Sequence, residues 1–306
     1  MKKALRVILP VLMIGIVFSS QTVNGDYLVT VGSIFNYDVI DSNMSVTFGV
    51  NTASGTGFEI ANTTFAAGTT VELNVTAVDS LGVDYNLTAG AFTEEKSLSV
   101  WDSLGMALLT IFPLFVSLGI ATTEWDQNAT EDTHAGLLLV PFLDVDNSSW
   151  EPWSIWADMA DSIHANGTTA MENITTSLVW DATYDNTSTD FIFETHLSGE
   201  IADLVNNSGS LTQVNLTIEH RYQFAYTIAT GVMLGIRMVG EVTGFVNGTI
   251  FEMNYNYLTE KAGYDMPIFE LYSLPTWPFP GFEYLIAIGA LASLAIPIVL
   301  VKKRRK

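Results

Sequence analysis

Alternation of apolar and polar residues with a period of two runs through much of the chain. From 214 to 228 the even positions read Val214, Leu216, Ile218, His220, Tyr222, Phe224, Tyr226 and Ile228. The odd positions read Asn215, Thr217, Glu219, Arg221, Gln223, Ala225 and Thr227. Such a run exceeds the usual strand of about five or six residues and predicts a long antiparallel strand with one buried face. Thr230-Gly231 offers a turn and 232–246 runs back. Asn247-Gly248, a strong hairpin signal, then sends 250–258 out again with Phe251, Met253, Tyr255 and Tyr257 in phase. Shorter strands are predicted at 27–31, 34–40, 44–50, 70–78, 83–88, 174–180 and 189–197. Long strands twist and coil. The expected fold is therefore mainly β: a large curved antiparallel sheet, a half-barrel-like meander, packed on an apolar helical segment.

Two stretches carry helical rather than strand spacing. Ser148-Ser149-Trp150-Glu151 has capping-box form, and the residues after it place Trp153, Trp156 and Ile163 on one side. The Trp150, Trp153 and Trp156 set suits either a core stripe or a platform for sugar rings, with core the commoner use of that spacing. Residues 104–123 hold no charge and are broken by Pro113. Three readings stand for them: a buried helix or helical hairpin filling the hollow of the sheet, a mobile lid over an apolar cavity or a segment dipping into the bilayer surface, or a membrane span. A span here would leave the C-terminal basic cluster on the outside, against the positive-inside rule. In the lid reading, Leu109 and Phe112 face Tyr222, Phe224 and Tyr226 across an apolar ligand.

The ends differ in kind from the middle. Lys2, Lys3 and Arg6 precede the apolar run 7–18, and residues 1–25 read as a secretory signal peptide. Residues 265–283 crowd Pro267, Pro275, Pro278 and Pro280 together and predict a stiff stalk. The uncharged stretch 284–301 and the basic run 302–306 then predict a membrane anchor and a cytoplasmic tail. Between them, 26–264 forms the ectodomain, with 26–100 either a small β subdomain or the first strands of the main sheet. It carries Asn-x-Ser/Thr sequons at Asn43, Asn62, Asn74, Asn86, Asn128, Asn147, Asn166, Asn173, Asn186, Asn206, Asn215 and Asn247. Asn74 lies between Leu73 and Val75, and Asn86 between Tyr85 and Leu87. The sugar acceptors are thus out of phase with the apolar face, as a glycan requires.

Charge sharpens this picture. Outside the two tails only Lys96, Arg221, Arg237 and Lys261 oppose all 33 acids, so the ectodomain carries about −29. Such a surface repels phosphate and excludes nucleic acid as a partner. Divalent cations are the natural small partners. Asp144, Asp146 and Glu151 form an oxygen-rich calcium candidate, without the EF-hand loop pattern, and solvated acidic loops are the plainer reading. The chain has no cysteine, which excludes disulfides and thiol chemistry and leaves stability to a hydrophobic core. His134, His164, His196 and His220 are scattered. His220 sits on an apolar strand face, where a hydrogen-bonded core histidine is expected. Gly-x-Ser-x-Gly, phosphate-binding glycine loops and His-Glu-x-x-His are absent, and no carboxylate pair stands out. No catalytic residue or cofactor is expected.

The order Pro280-Gly281-Phe282, apolar span, basic cluster resembles the archaeal PGF-type C-terminal sorting signal. That resemblance covers only the C-terminal tail. It implies an archaeal surface protein recognised at Pro280, Gly281 and Phe282 by an archaeosortase, which removes the tail and joins the new end to a lipid. Pro297 inside the span departs from the smoothest form of the signal and leaves a retained helix as the alternative. A bent sheet around a helix is also similar in architecture to the half-barrels of periplasmic lipid carriers, although fold does not transfer function. The sequence thus describes a membrane-anchored cell-surface glycoprotein, non-catalytic, with an envelope or interaction role. The alternative is a carrier for a lipid or other apolar molecule, and a surface hydrolase is a weak third.

Overall fold

A computed structural model describes residues 27–80, 82–99, 134–144, 175–176, 179–186, 189–207 and 210–270, with 105–106, 109–110, 112–113, 153–154 and 157. The expected signal peptide, anchor, tail and Pro280-Gly281-Phe282 motif lie outside the described residues. So do Asn128, Asn147, Asn166, Asn173, Asp146 and Glu151.

The long alternating segments pair with one another throughout. In chain order the strands are β1 (Ile34–Phe48), β2 (Asn51–Thr56), β3 (Phe58–Ile60), β4 (Thr63–Phe65), β5 (Thr69–Val78), β6 (Gly82–Ala89) and β7 (Phe92–Ser99). They continue as β8 (Thr175–Thr176), β9 (Val179–Asn186), β10 (Asp190–Asn207), β11 (Ser210–Thr227), β12 (Met233–Val246) and β13 (Thr249–Lys261). One large antiparallel sheet runs β7-β6-β5-β1-β13-β12-β11-β10-β8, with β2 also on β1 and β9 also on β10; β3 and β4 form a separate hairpin. Because β1 pairs with β13, the N-terminal strands and the C-terminal meander belong to one sheet.

The predicted meander is present as β11–β13. Its second turn has Asn247 at φ 51° and Gly248 at φ 76°, the doubly positive geometry that matches strand twist. The predicted strands 34–40 and 44–50 are instead a single strand, β1, with a bulge between Val39 and Asp41. There the buried phase moves from Tyr37 and Val39 to Ser42 and Val46, so an alternation test divides one strand in two. Residues 27–30 form no strand, yet Tyr27 and Val29 are buried, so their alternation reflects packing rather than a ladder. The predicted strand 174–180 is realised as β8 followed by β9.

Apart from β2, which has no buried residue, the long strands turn one face to a shared core. On this inner face lie Leu73, Leu87, Tyr37, Phe251, Ile236, Ile218, Phe224, Phe193 and Trp180, all buried. Met106, Phe142, Trp153 and the β3–β4 pair Phe58 and Ile60 pack over them in the same cluster. Among the described residues helix is confined to short pieces around Met106, Leu109, Phe112 and Trp153. No helix among the described residues is long and apolar enough to cross a membrane. At the β7 edge, register places Glu94 and Lys96 opposite the inward Leu87 and Tyr85, and the two charges pair at 2.6 Å. Inward charge on an edge strand discourages pairing with further chains.

Candidate functional site

The two faces of β11–β13 are chemically unlike. On the inner face Phe224 is surrounded by rings. Trp153 lies 4.6 Å away, Phe193 5.2 Å, Tyr226 5.6 Å, Tyr222 5.8 Å and Phe191 6.2 Å, centroid to centroid. Such offset and edge contacts add to the apolar area that each ring buries. Beside them His220 is wholly buried and fully bonded. Its Nδ1 accepts the Tyr255 hydroxyl at 2.6 Å, and its Nε2–H donates to the Leu109 carbonyl at 2.9 Å. That pattern needs the neutral ring. Burial pushes its pKa down to about 3, outweighing the opposing effect of the Leu109 carbonyl. Gly240 stands between Tyr255 and His220 in register, and a Cβ there would overlap the Tyr255 hydroxyl. Glycine therefore lets Tyr255 lie across β12 and reach β11.

The outer face of the same strands carries the open feature, a groove of about 850 Å3. Register aligns Thr56, Asn43, Asn256, Val239 and Arg221 in one row across five strands. Ser54, Ser45, Asn254, Glu241 and Glu219 form the next row. Arg221 and Arg237, two of the four bases that lie outside the chain's terminal clusters, are gathered at its end. Glu219 Oε1 accepts hydrogen bonds from His196 Nε2 at 2.9 Å and from Arg221 Nη2 and Nε at 2.8 and 3.1 Å. Half-burial pushes the Glu219 carboxyl up, but the bonds and charges of His196 and Arg221 together hold it below the usual carboxylate range.

Phe269 closes the same end. Its ring centre lies 5.2 Å from the Arg237 guanidinium and 6.0 Å from that of Arg221. The head of the predicted stalk is laid down on the sheet by further contacts. The Met266 amide donates to Glu260 at 2.8 Å, the Glu270 amide to Glu194 at 2.9 Å, and Arg237 Nη1 to the Pro267 carbonyl at 3.3 Å. Met266 itself sits where a Cβ on Gly235 would be.

Of the residues singled out in the sequence, the structure brings Tyr222, Phe224 and Tyr226 together on β11 with Leu109 over His220 and Phe112 edge-on to Tyr255 at 5.2 Å. Asp144 is the described member of the calcium candidate. His134 pairs with Glu59 at 3.0 Å. Among the described residues no group of three or more His, Asp or Glu is gathered for a metal. Asn62, Asn186, Asn215 and Asn247 are exposed, while Asn43, Asn74 and Asn86 are half-buried on the outer side of their strands. Asn74 and Asn86 face one another in register. Sequence reasoning missed the groove. Its signal was the convergence of scarce arginines on one strand phase with small polar residues on three others. Comparison with protein-family models, curated proteins and solved structures finds no match for the chain.

Proposed function

We propose that the chain is a membrane-anchored, glycosylated cell-surface protein whose ectodomain acts by binding and display rather than by catalysis. One observation carries the reading: each sequon asparagine whose exposure is described stands clear of the buried face. The acidic ectodomain, the basic ends and the PGF-like tail agree with it. The groove's Glu219 is committed to His196 and Arg221, which holds it ionised and makes it a poor proton donor. In its finer form the architecture is a half-barrel-like sheet, bent where the ladder shifts at Val39/Asp41, Val75/Ala77 and Ala225/Tyr226. The test is expression of the full chain in a glycosylating host, with membrane fractionation, protease shaving of intact cells and glycopeptide mass spectrometry. The reading expects a membrane-bound protein, shaved from outside, with sugar on sequon peptides. A soluble protein with bare asparagines overturns it.

A second reading rests on Tyr222. Its hydroxyl is buried and has no hydrogen-bond partner among the described residues, an unusual cost for a buried polar group. An apolar molecule with a polar end, held under Leu109 and Phe112, would supply that partner. Organic extraction of the purified protein tests this: a stoichiometric apolar passenger favours the carrier, and none removes it.

A further inference from the structure

We propose that the outer-face groove is a carbohydrate site, and that its occupant is the glycan carried by Asn43. This rests on the reading of the ectodomain as glycosylated. Asn43 does not stand at the rim. Its register partners are Thr56 on one side and Asn256 on the other, and it lines the groove itself. A sugar joined to its Nδ2 has to begin on that floor.

The floor suits sugar hydroxyls. Asn43, Ser45, Asn254 and Asn256 are short side chains that both donate and accept hydrogen bonds. Among the described residues, none of these four side chains spends those groups on a partner within the chain. Neighbouring strands are about 4.8 Å apart, so one row of such groups follows a saccharide across several strands. Asp41, Glu219 and Glu241 against Arg221 and Arg237 leave the groove with a slight negative excess. That balance favours a neutral oligosaccharide over an anionic ligand. A volume of about 850 Å3 also lies within the range of pockets that enclose a small ligand, about 300–1,000 Å3.

The other described acceptors are placed differently. Asn62 and Asn247 occupy turn positions with φ of 60° and 51°, and Asn186 and Asn215 are exposed. Asn74 and Asn86 share the half-burial of Asn43 but do not line the groove. They are controls for strand position alone.

The experiment uses full-length protein, made in a host that adds oligomannose chains and purified in mild detergent. Native release by an endoglycosidase is followed site by site through glycopeptide mass spectrometry. The Asn43 glycan is expected to leave at least about tenfold slower than those at Asn74 and Asn215, with equal rates after denaturation. The double variant Asn254→Ala, Asn256→Ala should bring the Asn43 rate up to that of Asn215. Both positions face outward, and an unchanged melting curve certifies the fold. Equal native rates at Asn43, Asn74 and Asn215 overturn the proposal. So does a bare Asn43 beside occupied neighbours, whereas bare sequons throughout overturn the glycoprotein reading itself. A second arm titrates free oligomannose: binding to Asn43→Gln but not to the glycosylated parent supports a self-filled groove. Equal binding to both shows that the sugar comes from another molecule and overturns the assignment of the occupant.

Discussion

Strands β11, β12 and β13 present two surfaces that differ in almost every property, although their residues alternate one by one along the same backbone. Inward lie Phe224, Tyr222, Tyr226, Met253 and Phe251, all wholly or nearly wholly buried. Outward lie Glu219, Arg221, Arg237, Glu241, Asn254 and Asn256, of which none is buried. Even the two histidines of neighbouring strands divide this way. His220 gives both ring nitrogens to fixed partners in the core, while His196 bonds a carboxylate at the groove. The lesson is that the inner face stores the stability and leaves the outer face free to carry polar chemistry.

The sharpest way to break this comparison is to remove an inner ring. Phe224→Ala should cost about 3–5 kcal/mol by leaving a cavity among five aromatic neighbours, and a denaturant melt reads it directly. A loss under 1 kcal/mol would mean that the aromatic cluster is not the core. Filling the gap at Gly240 comes next. Gly240→Ala should cost about 1–3 kcal/mol by overpacking, because the new methyl displaces Tyr255 from His220. Its melting curve should also lose part of the acid sensitivity described next.

That sensitivity follows from His220. Its folded pKa lies below the ordinary value of 6.5, so the unfolded chain takes up the proton first. Stability should be complete above about pH 6.5 and fall as pH drops toward about 3, by up to about 1.4 kcal/mol per unit. Glu219, held below its ordinary value, also loses its contribution on acidification, but only in the more acidic carboxylate range. His220→Gln should flatten the upper part of this profile and leave the lower part. An unchanged slope above pH 5 would show that His220 is not the group responsible. The smallest effect belongs to the outer face: Glu241→Gln should shift stability by no more than about 0.5 kcal/mol. A larger loss would mean that the groove is itself part of the core.

Legibility in the sequence followed burial. Strands with one apolar face announced themselves, as β5, β6 and β11–β13 show. The strands β2, Asn-Thr-Ala-Ser-Gly-Thr, and β7, with Glu94, Glu95 and Lys96, went unread because each pairs with a single neighbour. An edge of that kind imposes little apolar demand on its residues. The prolines of 265–283 predict a stalk, yet at its start Met266 and Phe269 are buried against the outer face. Proline content reports stiffness and is silent about what a stiff segment lies against.

By itself, then, the sequence determined the long strands with one buried face and the phase of that face, because period-two alternation is a local property of the pleated backbone. It also placed the described sequon asparagines out of phase with the apolar face and gathered eight of the twelve basic residues at the ends. Only the tertiary structure decided that β1 pairs with β13, bringing Asn43 beside Asn256 and Ser45 beside Asn254. Only it laid Tyr255 across Gly240 onto His220 and set Phe269 beside the two arginines. Those contacts join residues far apart in the chain, and no local periodicity records which distant strand a ladder will choose.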